Sequence, residues 1–324
     1  MKKILISITI TFFLFSMVVF PQTNYTRAEY NAYMKIAKAT TAQAKESNIL
    51  GFVNKFPKSA LMKYVKGEIQ KVFSMLLKGK NYQEMIKFGK NLLNTSLDKN
   101  IAYNFLCTGY YGSGDFKNYI VYGKKLYKLN PNPAIAYYIC LASLKINDEA
   151  TLEEYAGYVK ANGNFQMKMD ILSKLNRFYR KKGETQKALN CALEIVNVIE
   201  KSGKPANFKG DWNKYLHSFY MPFLRYLAVY YTKNKNYSEA IKYYNKIVKI
   251  SPKNAFAHFS LGLLYWYSRK ATLAAPEFAK AVVINDPKVS PKADAKLKEM
   301  LKKIKNGDKK YQELIAQAKT SLGM

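Results

Sequence analysis

Residues that could carry catalysis or bind a metal are few in this sequence of 324 residues. The two histidines, His217 and His258, belong to no H-x-x-x-H or C-x-x-C arrangement, so no ligand set for a metal is predicted. Adjacent acids such as Glu153 and Glu154 follow each other on one helix and cannot face each other. The sequence has no nucleophile elbow, phosphate-binding loop or dinucleotide fingerprint. It therefore predicts no enzyme activity, no metal and no cofactor.

Three cysteines, Cys107, Cys140 and Cys191, lie in stretches that have the pattern of helices. An odd number of cysteines argues against a set of designed disulfides in an exported protein. Burial as small apolar residues is the favoured interpretation for all three. Cys107 and Cys140 stand about one repeat apart, so a bridge between these two stays open as the alternative.

A repeat of 34 residues supplies the elements that would position any functional side chain. In its first copy Leu224, Leu227 and Tyr231 recur every three or four residues, which is typical of one face of a helix. Small residues such as Ala228 stand where two helices would cross. The positions that match between the two clearest copies are Leu224 with His258, Leu227 with Leu261, Ala228 with Gly262, Tyr231 with Tyr265, Ala240 with Ala274, and Tyr244 with Phe278.

This order of residue types resembles the tetratricopeptide repeat, in which a large residue, Leu, a small residue and an aromatic are followed by Ala, an aromatic and a closing Pro. Pro252 closes the first copy and Pro287 the second. The resemblance implies an all-α fold, a right-handed α-solenoid of stacked antiparallel helix hairpins that forms a superhelix. A single hairpin cannot bury its own apolar face, so neighbouring repeats must stack.

The rest of the chain is organised around these two copies. An insertion at 203–220 precedes them, and it is interpreted as a longer loop or an extended helix, with a partner-contacting loop as the alternative. In the C-terminal segment a stripe of Leu297, Met300, Leu301 and Ile304 would cover the last repeat. We expect a signal peptide at 1–22, an N-terminal hairpin or degenerate repeat at 23–65, repeats at 66–202, the insertion at 203–220, two clear repeats at 221–288 and capping helices at 289–324.

The N-terminus has the layout of a secretory signal peptide, because Lys2 and Lys3 precede an apolar run from Ile4 to Phe20. A retained membrane anchor is the alternative, since a helix of this length spans about 26 Å of a hydrocarbon layer roughly 30 Å thick. Polar residues such as Ser7 interrupt the run and favour cleavage. We therefore expect an exported protein, periplasmic or extracellular.

The net charge of +31 comes almost entirely from lysine, with arginine only at positions 27, 177, 180, 225 and 269. Scattered lysines attract acidic partners, but screening over about 8 Å makes that attraction generic. Sites for phosphates or bases usually use arginine forks and clustered contacts. Nucleic-acid binding is therefore not predicted.

The resemblance also implies a binding surface, since the first helix of each hairpin in such proteins lines a concave groove. Such a groove would hold an extended peptide that bears acidic and apolar side chains. We expect a non-catalytic scaffold or adaptor of the bacterial cell envelope that binds a protein or peptide there. The alternative is a Lys-rich surface that binds an anionic envelope polymer or membrane. Carried over by position, the candidate partner-binding residues are Asn104, Tyr111, Arg177, Arg180, Arg225, Lys233, Phe259, Trp266 and Tyr267.

Overall fold

The computed structural model describes residues 24–302 and 304–324, which divide into two compact units between Gly163 and Asn164. The predicted signal peptide at 1–22 lies outside the described residues. Within them there is no β-strand, and the predicted all-α fold of stacked helix hairpins is confirmed. No helix in this described part combines the length and the hydropathy needed to cross a membrane.

The first unit is a series of helices joined by short turns. Aspartates at the start of several helices accept hydrogen bonds from free backbone N–H groups, as Asp98, Asp115 and Asp148 do. Its helices are α1 (Arg27–Lys38), α2 (Ala42–Lys55), α3 (Met62–Lys78), α4 (Tyr82–Leu93), α5 (Lys99–Ser113), α6 (Phe116–Leu129), α7 (Pro133–Ile146) and α8 (Glu149–Asn162).

Packing in the first unit depends on a close crossing between α4 and α5. A Cβ atom at Gly109 would lie 2.7 Å from a side-chain carbon of Ile86 and 2.9 Å from the backbone oxygen of Tyr82. At Gly89 it would lie 2.9 Å from the side chain of Leu106. Glycine therefore lets the two helices approach more closely than any other residue would.

Buried charges also occur in the first unit, between α2 and its neighbours. Lys45 and Glu68 are both buried and form an ion pair of 2.5 Å, and Lys45 also donates to the carbonyl oxygen of Ile36 at 2.9 Å. Glu46, the next residue, is 5% exposed and its Oε1 has no hydrogen-bond partner within the described structure. Burial, followed by the neighbouring Glu84 carboxylate, raises the pKa of Glu46 to about 8.

The second unit contains the two clearest repeats, and their matched positions form its core. Leu224, Leu227, Ala228, Leu261 and Phe278 are fully buried. Its helices are α9 (Phe165–Lys182), α10 (Thr185–Ser202), α11 (Trp212–Tyr215), the π-helix π1 (Leu216–Tyr220), α12 (Met221–Lys233), α13 (Tyr237–Ile250), α14 (Ala255–Tyr267), α15 (Ala271–Val283), α16 (Ser290–Leu301) and α17 (Gly307–Ser321).

The C-terminal helices pack on the last repeat hairpin. Leu297 and Leu301 are buried in a cluster with residues of α15, and Met300 packs against that cluster. Ile304 was predicted to lie on the same stripe, but this is wrong because α16 ends at Leu301, which leaves Ile304 52% exposed.

Replacing Gly109 by alanine should destabilise the first unit, because the new methyl group would meet the Tyr82 backbone, which cannot rotate away. We expect a loss of about 1–3 kcal/mol in the free energy of unfolding. Gly157 on α8 is the matched control, since a Cβ there meets nothing within 4 Å. Gly157→Ala should raise stability by up to about 1 kcal/mol. Urea unfolding followed by circular dichroism measures both, and equal effects would contradict the close crossing.

Stability should fall as pH rises from about 5 to 8 through the raised pKa of Glu46. The folded state holds this proton more tightly than the unfolded chain, so its contribution is complete below the unfolded pKa near 4.5 and is lost on approach to 8. Glu46→Gln should remove this part of the pH dependence, because an amide can donate to Glu84 without titrating. Thermal midpoints across this pH range measure the effect, and the exposed Glu154→Gln is the control. Parallel profiles for wild type and Glu46→Gln would refute the assignment.

Candidate functional site

The candidate binding residues all lie on the first helices of hairpins. The structure brings four of them to two cavities, one within each unit. Asn104 and Tyr111 line a cavity in the first unit, and Arg180 and Arg225 line one in the second. The helices that carry the candidates are α5 for Asn104 and Tyr111, α9 for Arg177 and Arg180, α12 for Arg225 and Lys233, and α14 for Phe259, Trp266 and Tyr267.

The cavity of the first unit, here called the tyrosine cavity, has a volume of about 430 Å³ and no charged side chain in its lining. Leu77 and Tyr138, which are 43% and 46% exposed, contribute accessible apolar surface to it. This composition suits an uncharged group with an apolar body. The lining residues are Leu77, Tyr82, Asn104, Cys107, Thr108, Tyr111, Gly112, Tyr119, Leu126, Ala134, Ile135 and Tyr138.

Tyr111 is held in this cavity by aromatic contacts on several sides. Its ring centroid lies 5.1 Å from that of Tyr119, 5.4 Å from Tyr138 and 5.6 Å from Phe116, each in an edge-to-face arrangement. Gly112 admits the ring of Tyr82, which a Cβ at that position would overlap. The wall of the cavity is therefore fixed by packing.

Three titratable groups of the tyrosine cavity, Tyr111, Tyr119 and Cys107, stay uncharged near neutral pH. Burial raises the pKa of Tyr111 and Tyr119, and it raises the pKa of the Cys107 thiol to about 12. A thiol with so high a pKa is a poor nucleophile. The cavity therefore offers hydroxyl groups and apolar surface for binding and no acid, base or nucleophile for catalysis.

The cavity of the second unit, here called the arginine cavity, has a volume of about 470 Å³ and a different chemistry. Two guanidinium groups and an imidazole share it with aliphatic side chains, and no acidic residue lines it. Such a site favours an anionic group with an apolar neighbour. The lining residues are Arg180, His217, Met221, Pro222, Arg225, Tyr226 and Val229.

The arginines of this cavity have no carboxylate partner among the described residues. The guanidinium carbon of Arg180 lies over the Tyr226 ring, 4.8 Å from its centroid. A contact with the ring face leaves the in-plane N–H groups available. Burial raises the pKa of Tyr226 although the Arg180 charge opposes that shift, so the phenol stays neutral.

His217 reaches the arginine cavity from the insertion, through the π-helix that joins α11 to α12. Proline lacks an N–H and its ring clashes with the carbonyl four residues earlier in an α-helix. Pro222 lies two residues after the end of π1, and the N–H of Met221, between them, donates to the carbonyl oxygen of Leu216, five residues back. The insertion thus runs into α12 as one helix that contains a π turn.

Aromatic stacking anchors the insertion on the start of α9. The Tyr215 ring stacks on Trp212 at 5.1 Å and on Phe219 at 4.9 Å. Phe208 from the preceding loop lies 5.0 Å from both Trp212 and Tyr215, and Phe165 of α9 lies 6.1 Å from each of those two rings. His217 therefore extends from a packed element.

The other candidates line neither cavity. Arg177 and Lys233 are exposed, and so are Trp266 and Tyr267, at 40% and 57%. Phe259 is half-buried and packs 5.8 Å from the ring of Phe278, so packing accounts for it.

His258 is buried and bonded within the second unit. Its Nδ1 lies 2.6 Å from Glu277 and its Nε2 2.8 Å from the carbonyl oxygen of Pro252. Although burial opposes the shift, hydrogen bonds from His258 and Lys280 hold the pKa of Glu277 below its usual value. Among the described residues, no group of three or more His, Cys, Asp or Glu side chains could hold a metal ion.

The tetratricopeptide repeat family model matches residues 222–254, which contain most of α12 and the whole of α13. This stretch of the chain is a tetratricopeptide repeat. No curated protein matches it. The assignment rests on the family match and on the hairpins of the chain itself.

Solved structures similar to this chain have low sequence identity to it. One is a tetratricopeptide repeat protein from Parabacteroides merdae, with 13% identity, a TM-score of 0.36 and coverage of 84% of this chain and 96% of that chain. Another is the C-terminal part of a repeat protein from Cytophaga hutchinsonii, with 15% identity, a TM-score of 0.38 and coverage of 76% and 93%. PilF of Pseudomonas aeruginosa has 14% identity, a TM-score of 0.30 and coverage of 67% and 97%.

Several cavity residues were not among the sequence candidates. Leu77, Tyr82 and Tyr138 belong to the repeats on either side of Asn104 and Tyr111, so assigning each repeat separately missed them. His217 was left aside because it precedes the regular repeat. A search for unpaired aromatic or cationic residues near the ends of adjacent first helices would have found part of this set.

The three thiols of this chain should be unreactive in the native state. Cys107, Cys140 and Cys191 are buried and form no disulfide, and burial raises the pKa of both Cys107 and Cys140 to about 12. At pH 8 a chromogenic disulfide reagent should therefore release little colour until denaturant is added, after which three thiols should react. Fast reaction of the native protein, or fewer than three thiols after unfolding without a reductant, would contradict this.

Proposed function

We propose that this protein is a non-catalytic scaffold of the bacterial cell envelope that binds a partner protein or peptide along the first helices of its repeats. The observation that carries the proposal is the arginine cavity, where unpaired cationic groups and aliphatic surface lie together. The tyrosine cavity supports the proposal, because it also presents exposed apolar surface on the first helices of hairpins. Envelope location is part of the proposal and rests on the layout of residues 1–22.

A binding function accounts for the cavities better than catalysis does. Burial keeps Tyr111, Tyr119 and Cys107 of the tyrosine cavity uncharged near neutral pH. The arginine cavity is lined by no carboxylate, and burial keeps its phenol, Tyr226, neutral. A few buried aromatic contacts and paired arginines can supply the roughly 8 kcal/mol that micromolar affinity needs.

Binding of an anionic envelope polymer or membrane through lysine is the second candidate function, and the net charge of +31 favours it. Many of these lysines pair with acids one helical turn away, as Lys87 does with Glu84 and Lys296 with Glu299. Such pairs lower the charge available to an outside polymer. A lysine surface would bind any polyanion and would lose its ligand as salt rises.

Crosslinking in the host cell, followed by mass spectrometry at low and high salt, tests the proposal. Tyr138→Ala opens the tyrosine cavity and Arg225→Ala removes a cation from the arginine cavity, and both residues are exposed enough for the fold to survive. We expect a small set of captured proteins that persists at high salt and that at least one of these variants reduces severalfold.

The matched control combines Lys201→Ala and Lys249→Ala, which remove exposed cations from the second helices α10 and α13. This control should retain the captured set. Capture of the same proteins at wild-type levels by both cavity variants would refute binding along the first helices. Diffuse capture that disappears with salt and is weakened by the control variant would identify the lysine surface as the functional part.

A further inference from the structure

We infer that the arginine cavity is a specificity site that binds an oxyanion carried by the partner peptide, and that the insertion completes this site through His217. The inference rests on the proposed peptide-binding function. It adds the chemical group that is recognised and assigns a binding role to residues that lie outside the regular repeat.

Charge complementarity is the first argument. Arg180 and Arg225 come from two different first helices, α9 and α12, and converge on one cavity whose lining has no acidic side chain. Guanidinium groups bind carboxylates and phosphates through two parallel N–H bonds, so a pair of them is suited to one oxyanion. Two cations that share a cavity also repel each other, and an anionic ligand relieves that repulsion.

Hydrogen-bond geometry at His217 leaves its second ring nitrogen for a ligand. Its Nδ1 lies 2.8 Å from the carbonyl oxygen of Asn213, which can only accept, so this bond places a proton on Nδ1. Nε2 then has no partner among the described residues. Nε2 is therefore the ring nitrogen that is available to a ligand in the cavity.

The remaining lining restricts the kind of molecule that carries the oxyanion. Met221, Pro222 and Val229 provide an aliphatic wall beside the arginines. An acidic residue that is followed or preceded by an aliphatic residue matches this arrangement. A nucleic acid backbone would instead require a line of cations with aromatic rings on which successive bases stack. Here Arg180 and Arg225 are grouped around one cavity.

Selection from a displayed library of random 12-residue peptides against the purified full chain tests the inference. We expect enriched peptides that share an acidic residue next to an aliphatic one. For a synthetic peptide from this set, Arg180→Ala with Arg225→Ala should weaken binding on the order of a hundredfold, and His217→Ala roughly tenfold. The control with Lys201→Ala and Lys249→Ala should bind within about twofold, because those residues lie outside the cavity.

Variants of the selected peptide identify the source of the oxyanion. Loss of binding on Glu→Gln or Asp→Asn assigns a side-chain carboxylate, loss on amidation of the peptide end assigns the terminal carboxylate, and tighter binding of a phosphoserine version assigns phosphate. Peptides without an enriched acid, or variant proteins that bind the acidic peptide as wild type does, would overturn the inference and leave a peptide-binding scaffold in place. A library from which nothing is enriched would count against the scaffold function itself.

Discussion

Close crossing of neighbouring helices is the constraint on which the packing in each unit depends. In the second unit a Cβ atom on Gly262 of α14 would lie 2.7 Å from the ring of Phe278 on α15. In the first unit Gly89 and Gly109 serve the same purpose between α4 and α5. At this separation the apolar side chains between two helices exclude water, and each large one that is fully buried contributes about 1.5–3 kcal/mol. Neither helix of a hairpin could bury as much on its own.

This packing also determines where functional side chains can lie. The repeat positions are occupied by contacts between helices, as the full burial of Leu224, Leu227 and Ala228 illustrates. Side chains outside the pattern on the first helices are released from packing and can differ in chemistry. In the first unit such side chains line the neutral tyrosine cavity, and in the second unit they line the cationic arginine cavity. A single repeat architecture thus presents two cavities of different chemistry.

Sequence periodicity predicted what depends on regular helical geometry. Leu224, Leu261 and Phe278 are buried as their spacing requires. Buried polar contacts were not predictable in the same way. The ion pair between Lys45 and Glu68 joins residues 23 positions apart, and no local pattern encodes it.

The position of His217 shows a second limit. A pattern based on 3.6 residues per turn assumes an unbroken α-helix, whereas π1 inserts a wider turn before Pro222. The direction of side chains that precede this turn therefore differs from what the spacing predicts. The sequence candidates covered only part of the tyrosine cavity for another reason. Leu77 and Tyr138 come from neighbouring repeats, and whether they converge depends on how the hairpins stack.

The use of arginine provides a final argument about function. Lysine is the ordinary cation of this chain, since arginine occurs only at positions 27, 177, 180, 225 and 269. Two of these arginines nevertheless line one cavity, together with one of the two histidines. A solvated helix surface is served equally well by lysine, whereas planar recognition of an oxyanion requires the guanidinium fork. The place where the chain departs from its own preference for lysine is therefore the place where its chemistry is most specific.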